Sequence, residues 1–283
     1  MFGNKNYYCL VAGLKEYTLD ADTKGFDAKA IVEEIVEELT SSDAKAVRLL
    51  YGYYDCENLI ARRAGRASYN ELGNIAAEEL EAELADPQQL PARMARVVKA
   101  FALSQEELSE ENEWVQTMNL TVGFERLLLE AYYEECQHSS SSFMKAWAQF
   151  DRTLRNISAA AVARTLDRAI DTVTVGKRDI VEQLERSSAA DFGLRGELPY
   201  IDAVIAAVND ESNMVEKEHK IDLIRWEQAV NLAAQSYFDI NAILSYLVRV
   251  NIVARWAKLD EKRGREMFKR ILSELDSKEL VNK

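Results

Sequence analysis

Apolar residues recur along most of the chain with the spacing of one face of an α-helix. Val32, Ile35, Val36 and Leu39 stand at relative positions 0, 3, 4 and 7, which share one face of a helix with 3.6 residues per turn. The same stripe returns within residues 124–132, 201–208, 240–247 and 268–275. Polar residues occupy the positions between. The pattern predicts amphipathic helices that bury one face each in a common core.

A denser apolar seam runs through residues 143–157. Its members alternate by steps of four and three, as in helices packed on one another: Phe143, Trp147, Phe150, Leu154 and Ile157. Three prolines and eleven glycines offer few interruptions. We therefore predict an all-α, multi-helix bundle. Residues 7–14 are the one strand candidate, so we expect at most a short N-terminal strand.

Breaks in the helical pattern are short. Proline bounds the stretch 86–91, and small and polar residues fill 187–199. Stretches of this length join packed helices more readily than they separate independent domains. We predict one compact helical unit over residues 1–283, with possible sub-bundle boundaries near 86–91 and 187–199.

At three places in the chain, an aromatic residue followed by Asp is followed shortly afterwards by an Asn. The three segments begin at Tyr54, Phe150 and Phe238, and the asparagines are Asn58, Asn156 and Asn241. Three similar units of this size would form a helical protein with pseudo-threefold symmetry.

Charge and cysteine content narrow the class of function. The net charge is −13, and the acidic excess lies in residues 1–140. Such a surface repels nucleic acid, so no nucleic-acid partner is expected. Cys9, Cys56 and Cys136 are odd in number and far apart, which indicates reduced thiols. No apolar run reaches the ~20 residues of a membrane span. We expect a cytoplasmic protein.

Sequence motifs for phosphate binding, dinucleotide binding, serine hydrolysis and zinc proteolysis are absent. One constellation suggests metal chemistry. Glu135/His138 and Glu216/His219 share the Glu-x-x-His spacing, which places both side chains on one helix face. Two such pairs and two further glutamates form the di-iron site of ferritin-like bundles. A di-iron or other metal-binding bundle is therefore the alternative function.

Three segments together resemble a known family. They are NYYCLVAGL near the start, YYDCENLIARRAG at 53–65, and the C-terminal third from residue 220. They resemble a bacterial family of unknown function encoded among V-type ATPase genes. That family is similar, distantly, to the C subunit of A/V-type ATPases, which in eukaryotes is the d subunit.

The resemblance implies a fold and a role. The fold would be a funnel-like arrangement of three related helical sub-bundles. The protein would be a structural adaptor and not an enzyme, with no cofactor. It would lie on the cytoplasmic face of the inner membrane and couple the central rotor stalk of the ATPase to its proteolipid ring, and both would be its partners.

The similarity to this ATPase component rests on two motifs. The first contains Asp55, Asn58 and Arg62, and the second extends from Tyr246 to Arg255. Asp55 and Asn58 suit a helix start or a polar contact between helices, with Arg62 able to pair with Asp55. Together with Arg255 and Trp256, of the residue types that anchor interfaces, these form the candidate partner interface: Asp55, Asn58, Arg62, Arg255 and Trp256. The ATPase component has glutamates where this chain has Asn251 and Val253.

Overall fold

The computed structural model describes residues 5–18, 25–103, 110–176, 179–210 and 213–258. Within these ranges the chain forms eleven α-helices and no β-strand, which confirms the all-α prediction. The helices are α1 (Tyr8–Gly13), α2 (Ala28–Glu38), α3 (Ser41–Arg63), α4 (Leu80–Ala85), α5 (Ala92–Ala102), α6 (Phe124–Gln137), α7 (Ser142–Thr165), α8 (Asp179–Arg186), α9 (Ile201–Val208), α10 (Met214–Leu232) and α11 (Ile240–Lys258). The apolar stripe at 268–275 lies outside the described residues.

The strand candidate at residues 7–14 forms no strand, because the structure has the helix α1 there. Val11 donates its backbone N–H to the carbonyl of Tyr7 at 2.9 Å, which closes one helical turn. Tyrosine and valine favour strands only weakly, and a strand needs a neighbour to pair with its backbone. No strand is present among the described residues, so a local helix satisfies these groups instead.

Three of the long helices, α3, α7 and α11, begin at the same end of the molecule. Tyr7 connects two of these starts, because its N–H donates to Phe238 before α11 and its hydroxyl donates to Asp43 in α3. The Ser141 hydroxyl, which caps α7, donates to Asn241 in the first turn of α11 at 3.0 Å. These bonds hold all three starts together.

The same three helices also meet at similar positions further along. Tyr51 of α3 donates its hydroxyl to the Asn251 side chain of α11 at 2.9 Å. Arg155 of α7 donates to the Tyr53 hydroxyl of α3 at 3.5 Å. The three helices begin close together, and they contact one another again at similar distances from their first residues. They therefore run in the same direction. A helix precedes each of them directly in the chain (α2, α6 and α10), an order that agrees with three related sub-bundles.

In two of the three aromatic-Asp segments, the asparagine that follows makes equivalent contacts. Asn156 of α7 clamps a later loop, accepting from the backbone N–H of Val175 at 2.8 Å and donating to its carbonyl at 3.0 Å. Asn58 of α3 makes the same pair of bonds with the backbone of Asn70. Asn241 differs, because it lies at the start of α11 and bonds to the start of α7.

One continuous apolar core joins the helices, and the whole seam at 143–157 is buried in it. The stretch 86–91 connects α4 to α5, and 187–199 connects α8 to α9. Their role as sub-bundle boundaries stays a prediction. The three cysteines form no disulfide. None of the helices in the described ranges combines the length and apolarity that crossing a bilayer requires.

Candidate functional site

A cleft of about 740 Å³ lies between α3, α7, α10 and α11; we term it the central cleft. Its lining combines five aromatic rings with several charged groups. The described lining residues are Leu50, Tyr53, Tyr54, Glu57, Asn70, Leu72, Tyr132, Trp147, Asp151, Met214, Val215, Glu218, Asp222, Arg225, Val248, Asn251, Ile252, Ala254, Arg255, Trp256 and Lys258. A second space of about 460 Å³ adjoins it and shares Tyr53, Glu57, Asn70 and Lys258.

One wall of the central cleft is a group of charged and polar side chains around Asp222 of α10. Its carboxylate is 1% exposed and accepts from Arg225 at 3.1 Å and from Arg255 of α11 at 3.0 Å. The indole N–H of Trp256 donates a third bond at 2.9 Å. We term Asp222, Arg225, Arg255 and Trp256 the Asp222 cluster. Charge-assisted bonds of this kind are the stronger ones in proteins, so the cluster joins α10 firmly to α11.

Arg225 extends this cluster to two further helices. Its Nε donates to Asp151 of α7 at 3.3 Å, and Tyr133 of α6 donates its hydroxyl to the same carboxylate at 2.8 Å. Burial alone lowers the pKa of the Arg225 guanidinium, but Asp151 and Asp222 more than offset this and raise the pKa overall. The guanidinium therefore stays charged, and α6, α7, α10 and α11 are linked through one polar network.

The part of the lining that belongs to α3 is aromatic. The rings of Tyr53 and Tyr54 meet edge to face with centroids 5.8 Å apart. Burial and the neighbouring Asp151 and Glu57 raise the pKa of Tyr53, and burial and Glu57 raise that of Tyr54, so both phenols stay neutral. Glu57, one helical turn further, lines both the central cleft and the adjoining space.

Asp55 and Asn58 hold the loop at residues 70–75 against α3. Asn58 donates to the Asn70 carbonyl at 2.9 Å and accepts from its N–H at 2.7 Å. Asp55 accepts from the N–H of Ile75 at 3.0 Å and from the Asn74 side chain at 2.6 Å. Both side chains are buried and lie in the middle of α3. Of the two predicted roles, the helix start is wrong, and the polar contact is made to a loop and not to another helix. The loop that they hold contributes to the wall of the central cleft.

Exchanging Gly73 for alanine tests this loop clamp. A Cβ at that position would lie 2.8 Å from Asn58 Nδ2 and 2.8 Å from Asp55 Oδ1. We expect Gly73→Ala to lower the free energy of unfolding by about 1–3 kcal/mol, since the clamp must open to admit the methyl group. Gly13→Ala is the matched control, because nothing lies within 4 Å of its Cβ. Equal urea midpoints for the two variants would contradict the clamp.

The predicted pairing of Arg62 with Asp55 is also wrong. Arg62 donates instead to Glu81 of α4 at 2.6 Å, in a pair whose side chains are 48% and 64% exposed. Seven residues along a helix correspond to about 10 Å, which is beyond the reach of a direct bond at this site. Asn74 and Ile75 already donate hydrogen bonds to the Asp55 carboxylate. A contact of Arg62 with a partner stays a prediction.

Arg255 and Trp256, predicted as anchors for a partner, are both members of the Asp222 cluster. Their first role is therefore internal, because they connect α11 to α10. Arg255 still has a 41% exposed side chain and lines the central cleft, so a partner could reach it. Asn251 of α11 accepts the hydrogen bond from the Tyr51 hydroxyl of α3.

The first Glu-His pair of the metal hypothesis lies at the surface. Glu135 forms an ion pair with Arg93 of α5 at 3.0 Å. His138 caps the end of α6, exposed, with Nδ1 at 2.8 Å from the Glu134 carbonyl. Neither side chain points into a dry core between helices, which is where a di-iron centre is built.

The second pair lies apart from the first. Glu216 is exposed in the first turn of α10, and the ring of His219 contacts Trp256 edge to face at 5.3 Å. Across the described ranges, no three or more His, Cys, Asp or Glu side chains are grouped so that they could hold a metal ion. The geometry therefore does not join the two pairs into the site that the alternative function requires.

Six charged residues of the described cleft lining were not among the predicted site residues: Glu57, Asp151, Glu218, Asp222, Arg225 and Lys258. The i, i+3 spacing of Asp222 and Arg225 is the one local signal for their pairing. Nothing in the order of residues shows that Asp151 contacts Arg225, because that contact depends on how α7 packs against α10.

The fold and the cleft define a class: an all-helical protein whose parallel long helices enclose a polar, aromatic-lined space. Comparison with protein families places it further. The chain belongs to the family described as "Protein of unknown function (DUF2764)", whose model matches residues 4–279. No curated protein and no solved structure matches the chain.

Proposed function

We propose that this chain is a non-catalytic structural adaptor of a V-type ATPase, which couples the central rotor stalk to the membrane proteolipid ring. The observation that carries the proposal is the central cleft between α3, α7, α10 and α11, which is open to solvent at the start of α10. A socket for a stalk needs such a concave surface on a rigid frame. The sequence resemblance to the family encoded among V-type ATPase genes supplies the identity of the partner.

The frame around the cleft suits the transmission of force. Buried hydrogen bonds join the starts of α3, α7 and α11, and the Asp222 cluster connects α10 to α11. Networks in which every member is satisfied hold one packing arrangement in preference to others. A torque applied to one wall would therefore reach the other helices with little internal rearrangement.

The mouth of the central cleft has the chemistry of a contact surface for a helix. Met214 and Val215 begin α10, line the cleft and are 70% and 56% exposed. Methionine is flexible and polarisable, and it is frequent on surfaces that receive an amphipathic helix. Arg255 and Trp256, the predicted anchors, lie in the same cleft. In this proposal the protein acts in the cytoplasm, at the membrane face, through protein contacts alone.

Affinity capture tests the proposal directly. The tagged full-length chain is incubated with detergent-solubilised membranes of the source organism, and the retained proteins are identified by mass spectrometry. We expect enrichment of rotor-stalk and ring proteins of the ATPase. The double variant Met214→Glu, Val215→Glu should reduce their capture by about tenfold or more, because each charge must be desolvated in the interface.

The control carries the same charges on another surface. Val162→Glu with Leu166→Glu alters exposed apolar residues near the end of α7, outside the cleft lining, and should leave capture unchanged. Circular dichroism and thermal melts establish that both double variants are folded. Absence of ATPase components from the wild-type capture rejects the proposal. Equal capture by the two double variants rejects the cleft mouth as the docking surface.

A further inference from the structure

The basic groups of the central cleft are already matched by acids of this chain. Arg225 pairs with Asp151 and Asp222. Arg255 pairs with Asp222 and Glu218, and Lys258 pairs with Glu71 at 3.1 Å. An added anion would have to break one of these pairs, so the cleft is poorly suited to bind an anion.

Glu57 is the exception among the acids of the described lining. Asp151, Glu218 and Asp222 each pair with an arginine, whereas Glu57 forms no ion pair with a described residue, and its polar partner is the Asn70 side chain. Its own side chain is exposed and lines both spaces. Burial raises the pKa of Glu57 overall, and the guanidinium groups of Arg155 and Arg255 act against this from beyond ion-pair distance. Glu57 is thus the one acid of the described lining without a direct ion pair.

The surroundings of Glu57 favour an organic cation. Tyr53 and Tyr54 stand four and three residues before it, so they share its face of α3. A cation held by a carboxylate gains further attraction from the faces of nearby aromatic rings. A bare metal ion would need several ligands at one point, and no such group of His, Cys, Asp and Glu exists within the described part of the chain.

We propose that the central cleft binds an organic cation, an amine or guanidinium group on an apolar body, with Glu57 as its counter-ion and Tyr53 and Tyr54 as its aromatic wall. The cleft volume of about 740 Å³ falls within the usual range for small-molecule sites. Leu50, Leu72 and Val248 supply apolar surface for the body of the ligand. The site shares its cleft with the proposed adaptor function but does not depend on that function.

Titration calorimetry on the purified full-length protein tests the site. The probe is 4-phenylbutylamine, compared with 4-phenylbutanol and 4-phenylbutyrate, which have the same body with neutral and negative head groups. We expect the amine to bind the most tightly. Glu57→Gln should weaken the amine by about tenfold and leave the alcohol unchanged, because it converts a charge-assisted contact into a neutral one. Glu182→Gln, an exposed acid on α8, is the matched control and should change nothing.

Equal affinity for amine and alcohol overturns the proposal, and so does equal amine affinity of wild type and Glu57→Gln. A second measurement separates the two sources of such a cation. If 4-phenylbutylamine displaces captured ATPase components, the natural cation is a lysine or arginine side chain of a partner; if it binds without displacing them, the cation is a free small molecule. Failure to capture any ATPase component rejects the adaptor function and leaves the titration result standing.

Discussion

Replacing Asp222 with alanine is expected to lower the free energy of unfolding by about 2–4 kcal/mol. The carboxylate is buried and accepts bonds from Arg225, Arg255 and Trp256, so its removal leaves three donors to rearrange. Removing one partner of a fully buried ion pair costs about 3–5 kcal/mol. The expected loss is smaller here, because Arg225 keeps its ion pair with Asp151 and Arg255 keeps its ion pair with Glu218. Urea unfolding followed by circular dichroism measures the change.

Glu81→Ala is the matched control for Asp222→Ala. It also deletes a carboxylate paired with an arginine, Arg62, but at the surface, where such pairs contribute about 0–1 kcal/mol. If both variants lose the same stability, Asp222 does not organise the cleft. Tryptophan fluorescence gives an independent readout when the Trp256→Phe variant is used to separate the emission of Trp256 from that of the other three tryptophans. Loss of the indole hydrogen bond should alter the Trp256 emission in Asp222→Ala and not in the control.

Asn156→Ala is expected to destabilise the protein by about 2–4 kcal/mol. Its amide satisfies both the N–H and the carbonyl of Val175, at a position where both residues are 2% exposed. Alanine leaves two buried backbone groups without their partner, and each such group costs about 1–3 kcal/mol. Thermal and urea unfolding should agree on the loss. Hydrogen exchange should also show faster exchange of the Val175 amide.

Asn231→Ala on the exposed face of α10 serves as the control for that variant. The substitution should change stability by less than about 0.5 kcal/mol, because surface replacements away from special contacts have small effects. Asn156→Asp refines the test, since it keeps the acceptor for the Val175 N–H but places a carboxylate oxygen against the Val175 carbonyl. A loss below about 0.5 kcal/mol in Asn156→Ala would show that the loop is held by other contacts.

The apolar stripes predicted where the helices lie, whereas the residue types did not predict which polar side chains would meet. The stripes at 32–39, 124–132, 201–208 and 240–247 all lie on or directly beside helices in the structure. The strand candidate at residues 7–14 formed a helix, because side-chain preference is weaker than the need to pair the backbone. Asp55 and Asn58 were selected for their types, but their partners at 70–75 lie in a loop whose path no periodicity indicates.

The amino-acid sequence alone determined the helical class, most helix positions and the scarcity of motifs for known chemistry, because periodicity and composition act over neighbouring residues. Only the tertiary structure decided that α3, α7 and α11 run in parallel, that Asp222 gathers two arginines and a tryptophan, and that Glu57 has no ion-pair partner among the described residues of the cleft. The physical reason is distance along the chain. Electrostatic pairing in the cleft joins residues that meet only after their helices have packed, and the packing depends on the shape of the whole core.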